Sequence, residues 1–398
     1  MKKYLIIIFI LGAILGCEEL ERGVPVNDND TAPLPVTNVQ VANIPGGATL
    51  TYTLPISDNL LYVVAVYSTN SGVLQEKKSS FFSNSITLQG FPDTRDYKVT
   101  LYAVSRGGKK STPAEVTISP QTPPVLAAYE SLTMVPTFGG AKVSFENASE
   151  ADLKMIVLTT DSLGELYVAD TYYTKRQAGS FSVRGFAPLE RRFGIFTLDR
   201  WNNKSDTLFV TLIPWYETKL NKGKFVEVHL AGDTWENHVT GSMKSLWDDV
   251  FDKVNQPVFH TKPNTGIPQS FTIDLKAKTR LSRFKFHHRY HSGNTSGQYM
   301  AGDPKIMEVY GSNNPASDGS WESWVLLGTM ESVKPSPGSA ITEEDVQFAC
   351  VDGEDYEFEN TDNAYRYLRF RVTKNWGGVT YIYIAELTFW GEVLELYD

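Results

Sequence analysis

Three of the six histidines of this chain fall within five positions: His287, His288 and His291, in the stretch FHHRYHSG. Clustered imidazoles first raise the question of zinc. On a helix His287 and His291 would share one face, the spacing of the motif HExxH, but His288 stands where that motif needs its glutamate. The flanks argue for a strand instead, because Phe284 and Phe286 alternate with Arg283 and Lys285, and SGNTSG then breaks the pattern. Along a strand four residues cover ~13 Å, too far for two ligands that must each lie ~2.1 Å from one zinc. Alternation places Phe284, Phe286, His288 and Tyr290 on one face and Arg283, Lys285, His287, Arg289 and His291 on the other. The phenylalanines mark the core side, and the strand ends in a loop, where a β-scaffold carries its function.

Other chemistry is poorly represented. No nucleophile elbow, P-loop, dinucleotide fingerprint or Cys/His pair of catalytic type is present. Paired carboxylates for glycoside hydrolysis are set by the fold and cannot be read from spacing. The chain is therefore read as a non-enzyme. A net charge of −9 with both signs interspersed excludes a nucleic-acid binder, which needs a basic face. Twenty Tyr, 21 Phe and 8 Trp, with many Val, Thr and Ile, favour strands, and 398 residues suggest about three domains.

The start is a processing signal. MKKYLIIIFILGAILGC has a basic start, an apolar run from Tyr4 to Leu15, then Gly16 and Cys17. The run is too short for a spanning helix of ~20 residues. Ile14-Leu15-Gly16-Cys17 resembles a bacterial lipobox, which implies cleavage after residue 16 and a lipid on Cys17; the alternative is an ordinary signal peptide. With Cys17 lipidated, Cys350 is left without a disulfide partner. Glu18, Glu19 and Glu21 resemble the export signal of Bacteroidetes surface lipoproteins, which implies an outer-membrane location facing the cell exterior. Residues 17–35 read as the lipidated cysteine and a flexible tether, rich in Pro, Asp and Asn.

The elements behind the histidines come in three blocks. Residues 36–121 and 125–231 repeat one another: Gly46-Gly47-Ala48 matches Gly139-Gly140-Ala141, Gly90-Phe91 matches Gly185-Phe186, and YKVTLYAVSRGGKKST aligns with RRFGIFTLDRWNNKSD. A repeat of about 90–100 residues is the size of one β-sandwich. Alternating runs such as LLYVVAVYS, SITLQGF, KMIVLTTD and SFSVRGF give the strands, and the pattern resembles fibronectin type III domains. PQTPPV between the copies reads as an extended, semi-rigid linker.

Residues 232–398 have a different character. FTIDLKAKTRLSRF, EVYGSNN, YRYLRF and IAELTFWG, in that order, resemble a discoidin or coagulation-factor type C domain, a jelly-roll-like β-sandwich that acts in bacteria as a carbohydrate-binding module. The expected architecture is thus all-β: two tandem fibronectin type III-like sandwiches followed by a discoidin-like sandwich. In that resemblance the end of the histidine strand borders the ligand site, which makes His287, Arg289, Tyr290 and His291 candidate sugar contacts. Arg and His match sugar hydroxyls, and an aromatic ring covers the apolar face of a pyranose. Trp376, in the loop sequence KNWGGV, is the preferred platform, and Tyr299 a second candidate. The resemblance also implies a structural calcium at Asp248 and Glu386, although the usual Asp-Gly-Asp/Asn loop is replaced by DDVFDKVNQ.

Lipobox, tether, two spacers and a terminal module together resemble the Bacteroidetes surface lipoproteins of polysaccharide-utilisation systems. This implies a glycan-binding accessory, anchored in the outer membrane, with a polysaccharide or oligosaccharide as ligand and an outer-membrane transporter complex as a partner. The alternative is an assembly component with no sugar site.

Overall fold

The computed structural model describes residues 31–69, 72–238, 241–291 and 297–398. The signal segment, Cys17 and the tether up to residue 30 lie outside these described residues.

Seven strands come first: β1 (Thr37–Ile44), β2 (Gly47–Thr53), β3 (Leu60–Ser68), β4 (Leu74–Ser80), β5 (Ser85–Gln89), β6 (Tyr97–Ser105) and β7 (Ala114–Ile118). They form two antiparallel sheets, β1-β2-β5 and β4-β3-β6-β7. Period-two patterning builds the sandwich: Ala48, Leu50 and Tyr52 of β2 are buried while Thr51 and Thr53 face water. They meet Val63, Ala65, Ile86, Leu88, Val99 and Leu101 in one core. Each fully buried Leu or Val there contributes about 1.5–3 kcal/mol.

The plan repeats. After the short helix α1 (Pro124–Glu130) come β8 (Thr133–Thr137), β9 (Gly140–Glu146), β10 (Leu153–Thr160), β11 (Leu166–Thr174), β12 (Ala178–Val183), β13 (Arg191–Asp199) and β14 (Leu208–Leu212). Their sheets are β8-β9-β12 and β11-β10-β13-β14, the same three-plus-four order. The aligned glycines explain the repeat. Gly46 and Gly139 precede β2 and β9 at φ +63° and +66°, and Gly90 and Gly185 follow β5 and β12 at +94° and +98°, where a Cβ would be strained. The linker departs from expectation. It is extended only as far as Pro123, and α1 then starts with Pro124, whose missing N–H costs nothing in a first turn.

By compactness the chain divides into two units. One comprises the described residues up to 135 with 142–183 and 191–212, and the other comprises 136–141, 184–190 and 213–398. The second contains β15 (Thr218–Lys219), β16 (Val226–Val228), β17 (Phe259–His260), β18 (Gln269–His287), β19 (Pro304–Ser312), β20 (Val325–Glu331), α2 (Glu343–Val346), β21 (Glu354–Glu357), β22 (Ala364–Asn375), β23 (Tyr383–Ile384) and β24 (Glu386–Leu396). The boundary expected at 231/232 is too late, because β15 already pairs with β24 and β16 with β18.

The long strand β18 organises this unit. Its first half pairs with β22, the register breaks between Asp274 and Thr279, and its second half pairs with β24 and β21. Lys276 takes φ +54° at the bend, its N–H held by Asp274 Oδ1 at 2.8 Å. One strand thereby joins two sets of neighbours. Phe271, Ile273, Phe284, Phe286, Phe370 and Phe389 belong to one buried core.

Candidate functional site

β18 carries the histidines to its C-terminal end. Phe284 and Phe286 are buried as their alternation implies, and so is His288, which keeps no exposed surface. Its Nδ1 lies 2.6 Å from Asp303 Oδ2 and its Nε2 2.8 Å from Glu354 Oε1. Both ring nitrogens face carboxylate oxygens, so both donate and the ring is an imidazolium. Burial alone lowers an imidazole pKa, but the two carboxylates outweigh it and hold His288 up at about 9. Glu354 Oε1 also accepts from Ser332 Oγ at 2.8 Å and Tyr299 OH at 3.2 Å, and Tyr356 OH donates to Oε2. Burial pushes the Glu354 carboxyl up, yet His288 and these hydroxyls bring it below its ordinary value. With no solvent access and both nitrogens engaged, His288 cannot exchange a proton with a ligand. It ties β18, β21 and the loop before β19 together.

Two other sequence candidates change role for the same reason. His287 is buried, with Nδ1 3.2 Å from the Cys350 carbonyl oxygen and its ring 3.9 Å from that of Phe251. Burial pushes its pKa down to about 4, so it is neutral and does not reach a sugar. Tyr299 is also buried; its ring lies 4.8 Å from His288 and meets Trp376 edge-on at 5.3 Å. It is a core anchor and not a platform. Arg289, Tyr290 and His291 are partly exposed. The Arg289 guanidinium sits 5.4 Å from the centre of the Tyr383 ring. Tyr290 packs, as Trp376 does, against a cluster of Tyr299, Ala349 and Cys350. The strand end and the Trp376 loop therefore flank one small core.

Trp376 is half-buried and held from several sides. Its Nε1 donates to Ser332 Oγ at 3.3 Å, its backbone N–H to Asp303 O at 2.9 Å, and Lys305 Nζ lies 4.2 Å from the ring centroid. Asn375 Nδ2 donates to the carbonyls of Val379 at 2.8 Å and Tyr381 at 3.0 Å, which closes the NWGGV loop. Gly377 is required there, since a Cβ would lie 2.4 Å from Ala301 Cα. The loop walls an open groove of about 530 Å³, lined also by Ile267, Thr373, Lys374 and Thr380. A fixed indole with hydroxyl and ammonium neighbours is what a weakly polar, hydroxyl-rich ligand needs.

The residues expected to hold calcium have a different partner. Lys222 Nζ donates to Glu386 Oε1 and, at 2.8 Å, to Asp249 Oδ1. Asp248 sits close enough for the same ammonium to act on it. Glu386 has no exposed surface, and burial pushes its pKa up to about 7 against the pull of Lys222. Calcium takes six to eight oxygen ligands, roughly. A lysine donor on the buried carboxylate does not fit that shell; the ammonium supplies the positive charge itself. Among the described residues no group of three or more His, Cys, Asp and Glu side chains could hold a metal ion.

Three sequence families match the chain, each described as a domain of unknown function: DUF4959 at residues 33–120, DUF5126 at 121–223 and DUF5000 at 247–391. No curated protein matches. Among solved structures, a SusE-like protein is 31% identical; the match covers 68% of this chain and 100% of that one, at a TM-score of 0.45. The chain belongs to the SusE-like family. The C-terminal domain of a chitobiase from Bacteroides fragilis is 17% identical over 45% of this chain and 100% of that one, with a TM-score of 0.31. A two-domain fibronectin type III segment of chicken tenascin is 18% identical over 45% of this chain and 99% of that one, with a TM-score of 0.23. Neither of these two bears on function. In this SusE-like chain the residues that sequence reasoning missed are Asp303, Glu354, Ser332 and Lys222. Their partners are remote in sequence, so no local pattern marks them.

Proposed function

We propose that this SusE-like protein is a cell-surface accessory of a polysaccharide-utilisation system, tethered to the outer membrane through lipid on Cys17, that binds glycan through its C-terminal discoidin-like domain. The observation that carries the reading is the groove at Trp376, where an indole fixed by Ser332, Tyr299 and Lys305 borders Thr373, Lys374 and Thr380. A platform already fixed before binding loses little rotamer freedom when a sugar lands on it. Tyr290 packs on the same small core as Trp376, and Arg289 and His291 beside it are partly exposed, which leaves them available as further contacts outside the groove itself. The two seven-stranded sandwiches act as spacers. One shallow site binds weakly, and tethering compensates by raising local concentration. The test is an array of plant and host oligosaccharides read with the full-length protein. Binding to one glycan class, lost in Lys374→Ala at an unchanged thermal midpoint and in a Trp376→Ala protein that stays folded, supports the reading; no binding across the array removes it.

A second reading, an assembly component, is favoured by β11. It is an edge strand with Leu166, Val168 and Tyr173 exposed, a surface on which a partner strand or apolar face can dock. Co-purification of one outer-membrane partner that Val168→Lys abolishes would favour it.

A further inference from the structure

One end of the first sandwich combines features that the glycan reading leaves unused. The β2–β3, β4–β5 and β6–β7 connections meet there: Tyr52 N–H donates to Asn84 O, Phe81 N–H to Leu61 O and Arg106 N–H to Asn59 O. Apolar side chains project from this end into water. Ile56 is fully exposed, Phe82 is 84% exposed, and Leu34 stands beside the start of β1. Among the described residues, the ring set against Phe82 is that of the neighbouring Phe81, 3.9 Å away. Arg106 and Lys109 are exposed on the β6–β7 turn, against one acid, Asp58, on the β2–β3 turn. The chain also enters at this end, since Asn59 Nδ2 donates to the Thr31 carbonyl at 2.8 Å. Thr31 lies fourteen positions after Cys17, a reach of at most ~50 Å.

We propose that this end of the first sandwich seats on an anionic lipid surface, with Phe82, Ile56 and Leu34 entering the interfacial region and Arg106 and Lys109 on the headgroups. Protruding apolar side chains ringed by cations are the chemistry that an anionic bilayer surface holds. A lipid at Cys17 keeps the same end within reach, so each contact is intramolecular and need only be weak. The proposal rests on the lipid anchor in the functional reading. It adds that the first sandwich is fixed against the membrane and does not hang free.

The experiment uses the lipidated full chain in vesicles of phosphatidylglycerol and phosphatidylcholine that carry a nitroxide lipid. Phe82→Cys, and Leu163→Cys as a control exposed in the second sandwich, receive an environment-sensitive fluorophore; Cys350 is buried and is not labelled. Emission from position 82 should be blue-shifted and quenched roughly twofold or more beyond position 163. Adding Arg106→Glu and Lys109→Glu should remove the difference on anionic vesicles. Equal quenching at both positions in protein that floats with the vesicles overturns the docking alone. Protein that does not float removes the anchor and the docking with it. Protection of position 82 only after addition of outer-membrane protein would place a protein on this surface and also overturn the proposal.

Discussion

Lys222→Met replaces the ammonium beside Glu386 with an uncharged chain of similar length. Lys222 is 6% exposed and Glu386 not at all, and Glu386 Oε2 already has no hydrogen-bond partner among the described residues. Removing the cation leaves a buried carboxylate alone, which costs about 3–5 kcal/mol. For a unit of this size, that lowers the C-terminal melting transition by roughly 6–20 °C. The loss depends on pH. Glu386 is already pushed up to about 7 from 4.5, so its folded form favours the proton; without Lys222 it rises further. Stability of the variant is therefore highest at acidic pH and falls as pH rises past neutrality. Lys222→Met/Glu386→Leu should recover most of the loss, since a well-packed apolar pair replaces a buried ion pair at little cost. Because the ammonium is the resident cation, calcium and a chelator should leave the wild-type midpoint unmoved. Scanning calorimetry below and above neutral pH, with and without calcium, reads all of these. A Lys222→Met midpoint equal to wild type, or a wild type stabilised by calcium, would mean that the ammonium is not the cation that holds Glu386.

Other outcomes follow from the same packing. His288 has a folded pKa of about 9 against 6.5, so its contribution is fully present below pH 6.5 and is lost as pH rises through 9. The loss, on the order of 3 kcal/mol, should appear as a falling denaturation midpoint between neutral and alkaline pH that Glu354→Gln flattens. Gly90→Ala meets φ +94° and the Trp201 ring 2.9 Å from the new Cβ, which should cost about 1–3 kcal/mol in the first unit by urea unfolding. Cys350 is fully buried and burial pushes its thiol pKa up, so thiol reagents should modify it only after unfolding, as read by mass spectrometry.

Local pattern was enough for the sandwiches. Gly46 and Gly139, or Gly90 and Gly185, repeat because each turn needs a positive φ, and alternation in β2 or β10 follows from a two-residue period. It was also enough to put His288 on the core side. It misplaced His287, since the cover that buries it comes from Phe251 and Cys350, 36 and 63 positions away by number. The ion pairs were illegible for the same reason: Glu354 lies 66 residues from His288, and Lys222 164 from Glu386. Burial of a charge depends on such tertiary partners, which a single sequence does not pair. Trp376 stood out as a candidate because an aromatic beside two glycines in a loop has no periodic partner.

On the proposed function, glycan seats in the groove at Trp376. The most direct measurement is a calorimetric titration of the full-length protein, and of Trp376→Ala, with the oligosaccharide that the array selects. Saturable one-site binding in the wild type that falls at least tenfold, about 1.4 kcal/mol, in a folded Trp376→Ala protein is the expected result. Equal affinity in the two proteins contradicts it.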